Sequence, residues 1–189
     1  MTTTTILITS VGCPGFDSVH RAAKKYLSNK SVFFIGVDSD ADAYGKYAVD
    51  KFYHVPKCNS PNFINAMASI INDHDVDLIM PLGDSELLPL ATHFKQISAV
   101  QDPGVLNNVT DKIKLFSTLS LDDNISRHIC DFSICDNSKS VLSFINKQEN
   151  LGKKACVKPS NTSGSRGFVV IDDFDFLSLG DTKASHHTV

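Results

Sequence analysis

The sequence has no Cys-x-x-Cys pair, no apolar run longer than a strand and no cluster of basic residues, and each absence removes a class of function. Its five cysteines (Cys13, Cys58, Cys130, Cys135 and Cys156) form an odd set without metal-ligand spacing. That argues against a zinc ribbon or a disulfide framework and leaves reduced thiols. The longest apolar runs, such as Ile6 to Ile8 and Val32 to Val37, are strand-length, so no membrane partner is expected. The opening Met-Thr-Thr-Thr-Thr lacks the charged and apolar regions of a signal peptide, and a cytoplasmic location is the expectation. With a formal net charge of −3 and scattered Lys and Arg, the chain offers no electrostatic case for nucleic acid. The His186-His187 pair near the terminus has no further ligands beside it and reads as a solvated tail. Small-molecule or protein partners are the default.

What is present is enough for one sizeable core and a small second lobe: 189 residues, 42% hydrophobic and 21% charged. The first hundred residues alternate strand-like runs with helix-period segments, the pattern of a parallel sheet with crossover helices. Thr5 to Thr9 reads as the first strand. Phe16, Val19, Ala23, Tyr26 and Leu27 then form an apolar stripe opposite His20, Arg21, Lys24 and Lys25. Val32 to Val37 is a buried second strand ending at Asp38, Phe52 to Val55 a brief third, and Leu78 to Pro81 a fourth. Between the last two, Phe63, Ile64, Met67, Ile70 and Ile71 mark an amphipathic helix.

The character changes near Gln101 to Asn108, where Asp102-Pro103-Gly104 reads as a turn before Val105-Leu106. A domain boundary is expected there, giving units 1–104 and 105–189. In the second, Thr110 can cap a helix through Leu119, a helix is expected from about Ser138 to Lys147, and Ala155 to Lys158 and Phe168 to Ile171 read as two strands.

Three segments are candidates for chemistry. Ser10-Val11-Gly12-Cys13-Pro14-Gly15 joins a strand to a helix, the setting for anion binding at a helix N-terminus. It is not a dinucleotide fingerprint, since only Gly12 and Gly15 match the spacing and Pro14 lacks an N–H; a tight turn without ligand is the alternative. Gly83-Asp84-Ser85-Glu86 lies at the carboxyl edge of the sheet, either capping the next helix or lining a ligand crevice. Lys158-Pro-Ser-Asn-Thr-Ser-Gly-Ser-Arg-Gly167 sets a strand-end lysine before a loop of small residues, able to bring N–H groups and a cation against phosphate oxygens. It is not a Walker A loop, because the lysine precedes the glycines, and a plain hairpin would use similar residues.

Taken in order, these segments resemble the ATP-grasp superfamily, most closely proteins similar to the large subunit of carbamoyl phosphate synthase. Ile6-Leu-Ile-Thr-Ser-Val-Gly-Cys-Pro-Gly15, Gly36-Val-Asp-Ser-Asp40, Asp50-Lys-Phe-Tyr-His-Val-Pro56 and Asp77-Leu-Ile-Met-Pro-Leu-Gly-Asp-Ser-Glu-Leu87 resemble the strands and acidic turn of the domain preceding ATP-grasp. Thr110-Asp111-Lys112 resembles the start of the helix entering the ATP-grasp region, Ala155-Cys-Val-Lys-Pro159 the strand whose lysine meets an ATP phosphate, and Ser163-Gly-Ser-Arg-Gly167 the loop that closes over the triphosphate.

The resemblance implies a Rossmann-like, mostly parallel α/β sheet followed by a small, incomplete α+β ATP-grasp lobe. It implies nucleotide contacts from Lys112, Lys158, Ser163, Gly164, Ser165, Arg166 and Gly167. For the complete family enzyme it implies ATP, Mg²⁺ and a small carboxylate, which is activated as an acyl phosphate for attack by an amine or another nucleophile. The metal ligands, the catalytic carboxylates and the adenine-contacting hinge belong to a later part of the family's chain, so no catalytic or metal-binding residue is assigned. A truncated ligase is the expectation, with no turnover alone and weak or no ATP binding. A subunit of a split ligase, completed by a second chain or a second copy, and a non-catalytic binding or regulatory module are the alternatives.

Overall fold

The computed structural model describes residues 3–161 and 167–171. The chain divides into two compact units, Met1–Asn107 and a second beginning at Asn108.

The first unit is built on a four-stranded sheet of β1 (Thr4–Thr9), β2 (Val32–Asp38), β3 (Lys51–His54) and β4 (Leu78–Met80), in the order β3-β2-β1-β4. Every pairing in it is parallel, with Ile6 opposite Phe34 and Leu78, and Gly36 opposite Phe52. Beyond β4, Ile79 exchanges hydrogen bonds with Ile97 and Ala99 at 2.6 and 2.9 Å, which prolongs the sheet by a short bridge. Side chains alternate across a strand, and the strands here are apolar at consecutive positions, so the sheet needs cover on both faces. Leu7, Ile35, Val37 and Ile79 point to one face, where Phe63, Met67 and Ile70 of α2 (Phe63–Asp73) and Leu90 of α3 (Asp84–His93) bury them. Ile6, Ile8 and Phe34 point to the other, against Phe16 of α1 (Phe16–Tyr26) and Val11. This is the mostly parallel α/β fold expected from the alternation of elements.

One face of α1 differs from the expected stripe. His20 is buried at 4% exposure and Tyr26 stands out at 80%. The buried seam runs through Phe16 and His20, one helical turn apart, because the imidazole stacks on the Phe16 ring at 5.2 Å and meets Phe34 edge-on at 5.0 Å. An aromatic surface is therefore covered by a histidine that the pattern assigned to solvent.

A 3₁₀ turn at Tyr44–Tyr47 packs directly on the first loop. A Cβ at Gly45 would collide with the Val11 carbonyl oxygen and lie 2.7 Å from Phe16 Cε1, so only glycine fits.

The segment read as a turn at Asp102-Pro103-Gly104 is instead the first turn of α4 (Pro103–Val109). Proline occupies the first helical position, where its missing N–H is not needed, and the Asp102 carboxylate accepts from Gly104 N at 2.9 Å.

The second unit holds α5 (Lys112–Leu119), α6 (Asp123–Ser126), α7 (Ser138–Asn150) and an antiparallel pair, β5 (Ala155–Val157) and β6 (Val169–Ile171). Asp111, rather than Thr110, caps α5: its carboxylate accepts from Ile113 N and Lys114 N. Asn137 and Ser140 form a reciprocal capping box at α7. A small core of Cys135, Val141, Ile145 and Ala155, flanked by Val157 and Ile171, holds α7 to the two strands. Among the described residues no helix is long and apolar enough to cross a membrane.

Candidate functional site

At the carboxyl edge of the parallel sheet, the ends of β1 and β2 and the start of α3 converge. Ser10, just after β1, has a φ of 52°, in the left-handed region that serine seldom enters. Asp38, closing β2, turns its carboxylate back onto the first loop and accepts from Gly12 N at 2.8 Å and Asp40 N at 2.9 Å. Gly12 is one of the N–H groups that an anion would need there, and a protein carboxylate already holds it. The first loop is a tight turn secured by Asp38, and its negative charge opposes phosphate.

Glu86 sits in the first turn of α3 and accepts a hydrogen bond from the Thr9 hydroxyl. Burial raises its pKa above the usual carboxylate value; hydrogen bonds from Thr9 and Ser10 work in the opposite sense, and the nearby Asp38 charge adds to the rise. Of the two readings open for the acidic turn, the internal one accounts for every contact in place. Asp84 and Glu86 lie where a helix macrodipole favours anions, and Glu86 ties α3 to the end of β1.

The second unit carries Lys112 and Lys158. Lys112 opens α5, and both its backbone N–H and its ammonium reach the carbonyl oxygen of Ser160, at 3.1 and 3.3 Å. Ser160 is buried at 8% exposure in the turn following β5. These bonds bring Lys112 to the stretch that carries Lys158, although 48 positions separate residues 112 and 160.

Lys112, Lys158 and Ser160 line one cavity of about 140 Å³, together with apolar side chains that include Phe116, Phe132 and Ile145. The Phe116 and Phe132 rings are tilted at 51° with centroids 5.4 Å apart. Asp131 also lines the cavity, but its charge is compensated by Lys153 at 2.8 Å. That hydrogen bond, reinforced by the lysine charge, holds the Asp131 carboxyl below the usual range. The result, among the described residues, is an apolar hollow lined by two lysines, with its one acidic lining residue paired.

Lys158 is exposed, and its ammonium lies 4.9 Å from the centroid of the Phe168 ring. Gly167 has a φ of +72°, and a Cβ there would come within 2.6 Å of Pro159 Cγ. Glycine is thus required both by its backbone and by the closeness of the two limbs of the loop. Ser163, Gly164, Ser165 and Arg166 lie outside the described residues.

Of the residues singled out in the sequence, Lys112 and Lys158 line this hollow, whereas Gly167 packs against Pro159 and is not among the lining residues. Sequence reasoning missed Ser160 and Phe168. Phe168 was legible as the start of the strand expected after the glycines, whereas nothing local signals the bonds that Lys112 donates to the Ser160 carbonyl oxygen.

Residues 6–103, just over half of the chain, match the PylC-like, N-terminal domain family. The chain belongs to that family. No curated protein sequence matches it. Among solved structures, N5-carboxyaminoimidazole synthetase from Staphylococcus aureus complexed with ADP superposes with a TM-score of 0.62 at 18% identity, covering 94% of this chain and 43% of that one. L-amino acid ligase from Bacillus licheniformis gives 0.59 at 16% identity, covering 93% and 41%. The biotin carboxylase beta-gamma-ATP complex from Campylobacter jejuni gives 0.52 at 18%, covering 89% and 38%. At such identities the likeness is one of fold, and this PylC-like chain shares that fold with ATP-grasp enzymes. It spans about two fifths of their length.

Among the described residues no group of three or more His, Cys, Asp or Glu side chains could hold a metal ion, and no ligand is assigned.

Proposed function

We propose that the second unit is the phosphate-binding lobe of an ATP-grasp ligase, with Lys112 and Lys158 contacting the phosphates of ATP and Gly167 shaping the loop beside them. The observation that carries this reading is the convergence of the two lysines on one cavity, in a chain whose preceding residues 6–103 form a PylC-like N-terminal domain. Two lysines among the residues lining an apolar hollow suit a ligand with a polyanionic end and a flat, poorly hydrated body, and a nucleoside triphosphate has both.

The reaction class in this proposal is supported by the fold neighbours, whose names include a synthetase, an amino acid ligase and a carboxylase. ATP activates a carboxylate as an acyl phosphate, and an amine or other nucleophile then displaces phosphate. In such a step the lysines of this chain neutralise charge on the transferring phosphoryl group and orient it, which is most of what phosphoryl transfer requires of a protein. A cytoplasmic site of action and a relation to the carbamoyl phosphate synthase large subunit belong to the same proposal, as does the division into a domain of residues 1–104 and a lobe of residues 105–189. No residue of this chain is given the role of metal ligand or catalytic carboxylate.

Lys158 is exposed, so water and salt screen its contact with phosphate and ATP binding to this chain is weak. Titration of the full chain with ATP, followed by NMR, reads such binding. Saturable shifts at Lys112 and Lys158, reduced by Lys158→Ala, are expected. Shifts confined to the carboxyl edge of the first sheet would contradict the proposal.

A further inference from the structure

The β5 and β6 ladder pairs Ala155 with Ile171, Cys156 with Val170 and Val157 with Val169. One step further along this antiparallel register sets Lys158 opposite Phe168, and the next sets Pro159 opposite Gly167. The tight approach of Gly167 to Pro159 fixes the limbs at this spacing, and the Lys158 ammonium settles 4.9 Å from the ring centroid. Phe168 is 41% exposed and is not among the residues of the core formed by Cys135, Val141, Ile145 and Ala155. Among the described residues the ring stands outside the core, and the ring contact it makes there is with the lysine.

A lysine side chain has four rotatable carbon–carbon bonds to order before its ammonium can hold a phosphate, and that ordering opposes binding. A ring face attracts the ammonium from one side only, leaving donors on the other side for phosphate oxygens. We propose that Phe168 is a positioning residue for Lys158, holding the ammonium over its ring so that the donors turned away from the ring face the phosphates of the nucleotide. This rests on the reading of Lys158 as a phosphate ligand. Phe168 touches no phosphate itself, and its effect on binding passes entirely through the lysine.

The test compares the full chain with Phe168→Leu, Phe168→Trp, Lys158→Ala and the double variant Lys158→Ala/Phe168→Leu, titrated by NMR with ATP and with inorganic tripolyphosphate. Without ligand, the Lys158 Cε protons should show an upfield ring-current shift that Phe168→Leu abolishes and Phe168→Trp retains. Phe168→Leu should weaken both ligands by roughly two- to fivefold, the worth of an exposed cation–π contact. Phe168→Trp should restore the affinity, and Phe168→Leu should change nothing once Lys158 is alanine. Affinity lost in Lys158→Ala but intact or improved in Phe168→Leu overturns the role of Phe168 alone. No binding by the wild type, or equal binding by wild type and Lys158→Ala, overturns the phosphate reading and this inference with it.

Discussion

Lys112 grips the carbonyl oxygen of Ser160 twice, through its backbone N–H at 3.1 Å and its ammonium at 3.3 Å. The bond from the backbone ties the start of α5 to the turn after β5 whatever the side chain is. The ammonium is the part that can turn to a ligand. Lys112→Ala should therefore leave the fold intact while weakening ATP binding by about threefold to tenfold, as expected for a partly screened charge-assisted contact. Circular dichroism checks the fold, and titration with ATP checks the loss.

Asp111 holds that helix start from the other side, accepting from Ile113 N at 2.9 Å and Lys114 N at 3.3 Å. Asp111→Ala removes the N-cap and should cost about 0.5–2 kcal/mol of stability, with Asp111→Asn costing less. Urea denaturation of the two variants reads the difference.

Glu86 and His20 should give the first unit opposite pH dependences. The folded pKa of Glu86 is raised, first by burial. Its contribution to stability is fully present below the ordinary value of 4.5 and is lost as pH rises through the raised folded pKa. Glu86→Gln, which keeps an acceptor for Thr9 without the charge, should become more stable relative to wild type as pH rises through that window. Denaturation curves collected across it test the sign.

His20 is shifted downward, first by burial and then by the charge of Lys24. The buried ring folds neutral, so its contribution is fully present above its ordinary value of 6.5 and is lost as pH falls towards the folded pKa. His20→Phe keeps an aromatic against Phe16 and Phe34 but cannot titrate. The acid limb of its stability profile should be flatter than that of wild type, as thermal unfolding over the same pH range will show.

Gly45 admits no side chain, because a Cβ would meet the Val11 carbonyl oxygen and the Phe16 ring. Gly45→Ala should destabilise the protein by about 1–3 kcal/mol through overpacking. A midpoint of urea denaturation unchanged from wild type would show that the 3₁₀ turn moves aside freely.

The sheet was legible because its strands are apolar at successive positions: Ile6 and Ile8 serve one face while Leu7 serves the other, and only a doubly covered sheet uses both. The stripe of α2 was legible for the same reason, with Phe63, Met67 and Ile70 recurring at helical spacing. His20 was not, since a histidine in a row of Arg and Lys looks solvated until the Phe16 and Phe34 rings are placed around it. The Asp102-Pro103-Gly104 stretch was misread because the chemistry that makes a turn also makes the first turn of a helix. At the candidate site, the strand-end lysine and its glycine were visible as local chemistry. The hold of Lys112 on Ser160 was not, because backbone carbonyls carry no mark in a sequence.

Side-chain NMR of nitrogen-15-labelled lysine during titration reads whether Lys112 and Lys158 bind nucleotide phosphates together. ATP and inorganic tripolyphosphate should both shift the Lys112 and Lys158 ammonium signals saturably, with one shared affinity for each ligand, and adenosine should shift neither. Equal responses to adenosine and ATP, or ATP-dependent shifts at other lysines with these two unmoved, would contradict that joint binding.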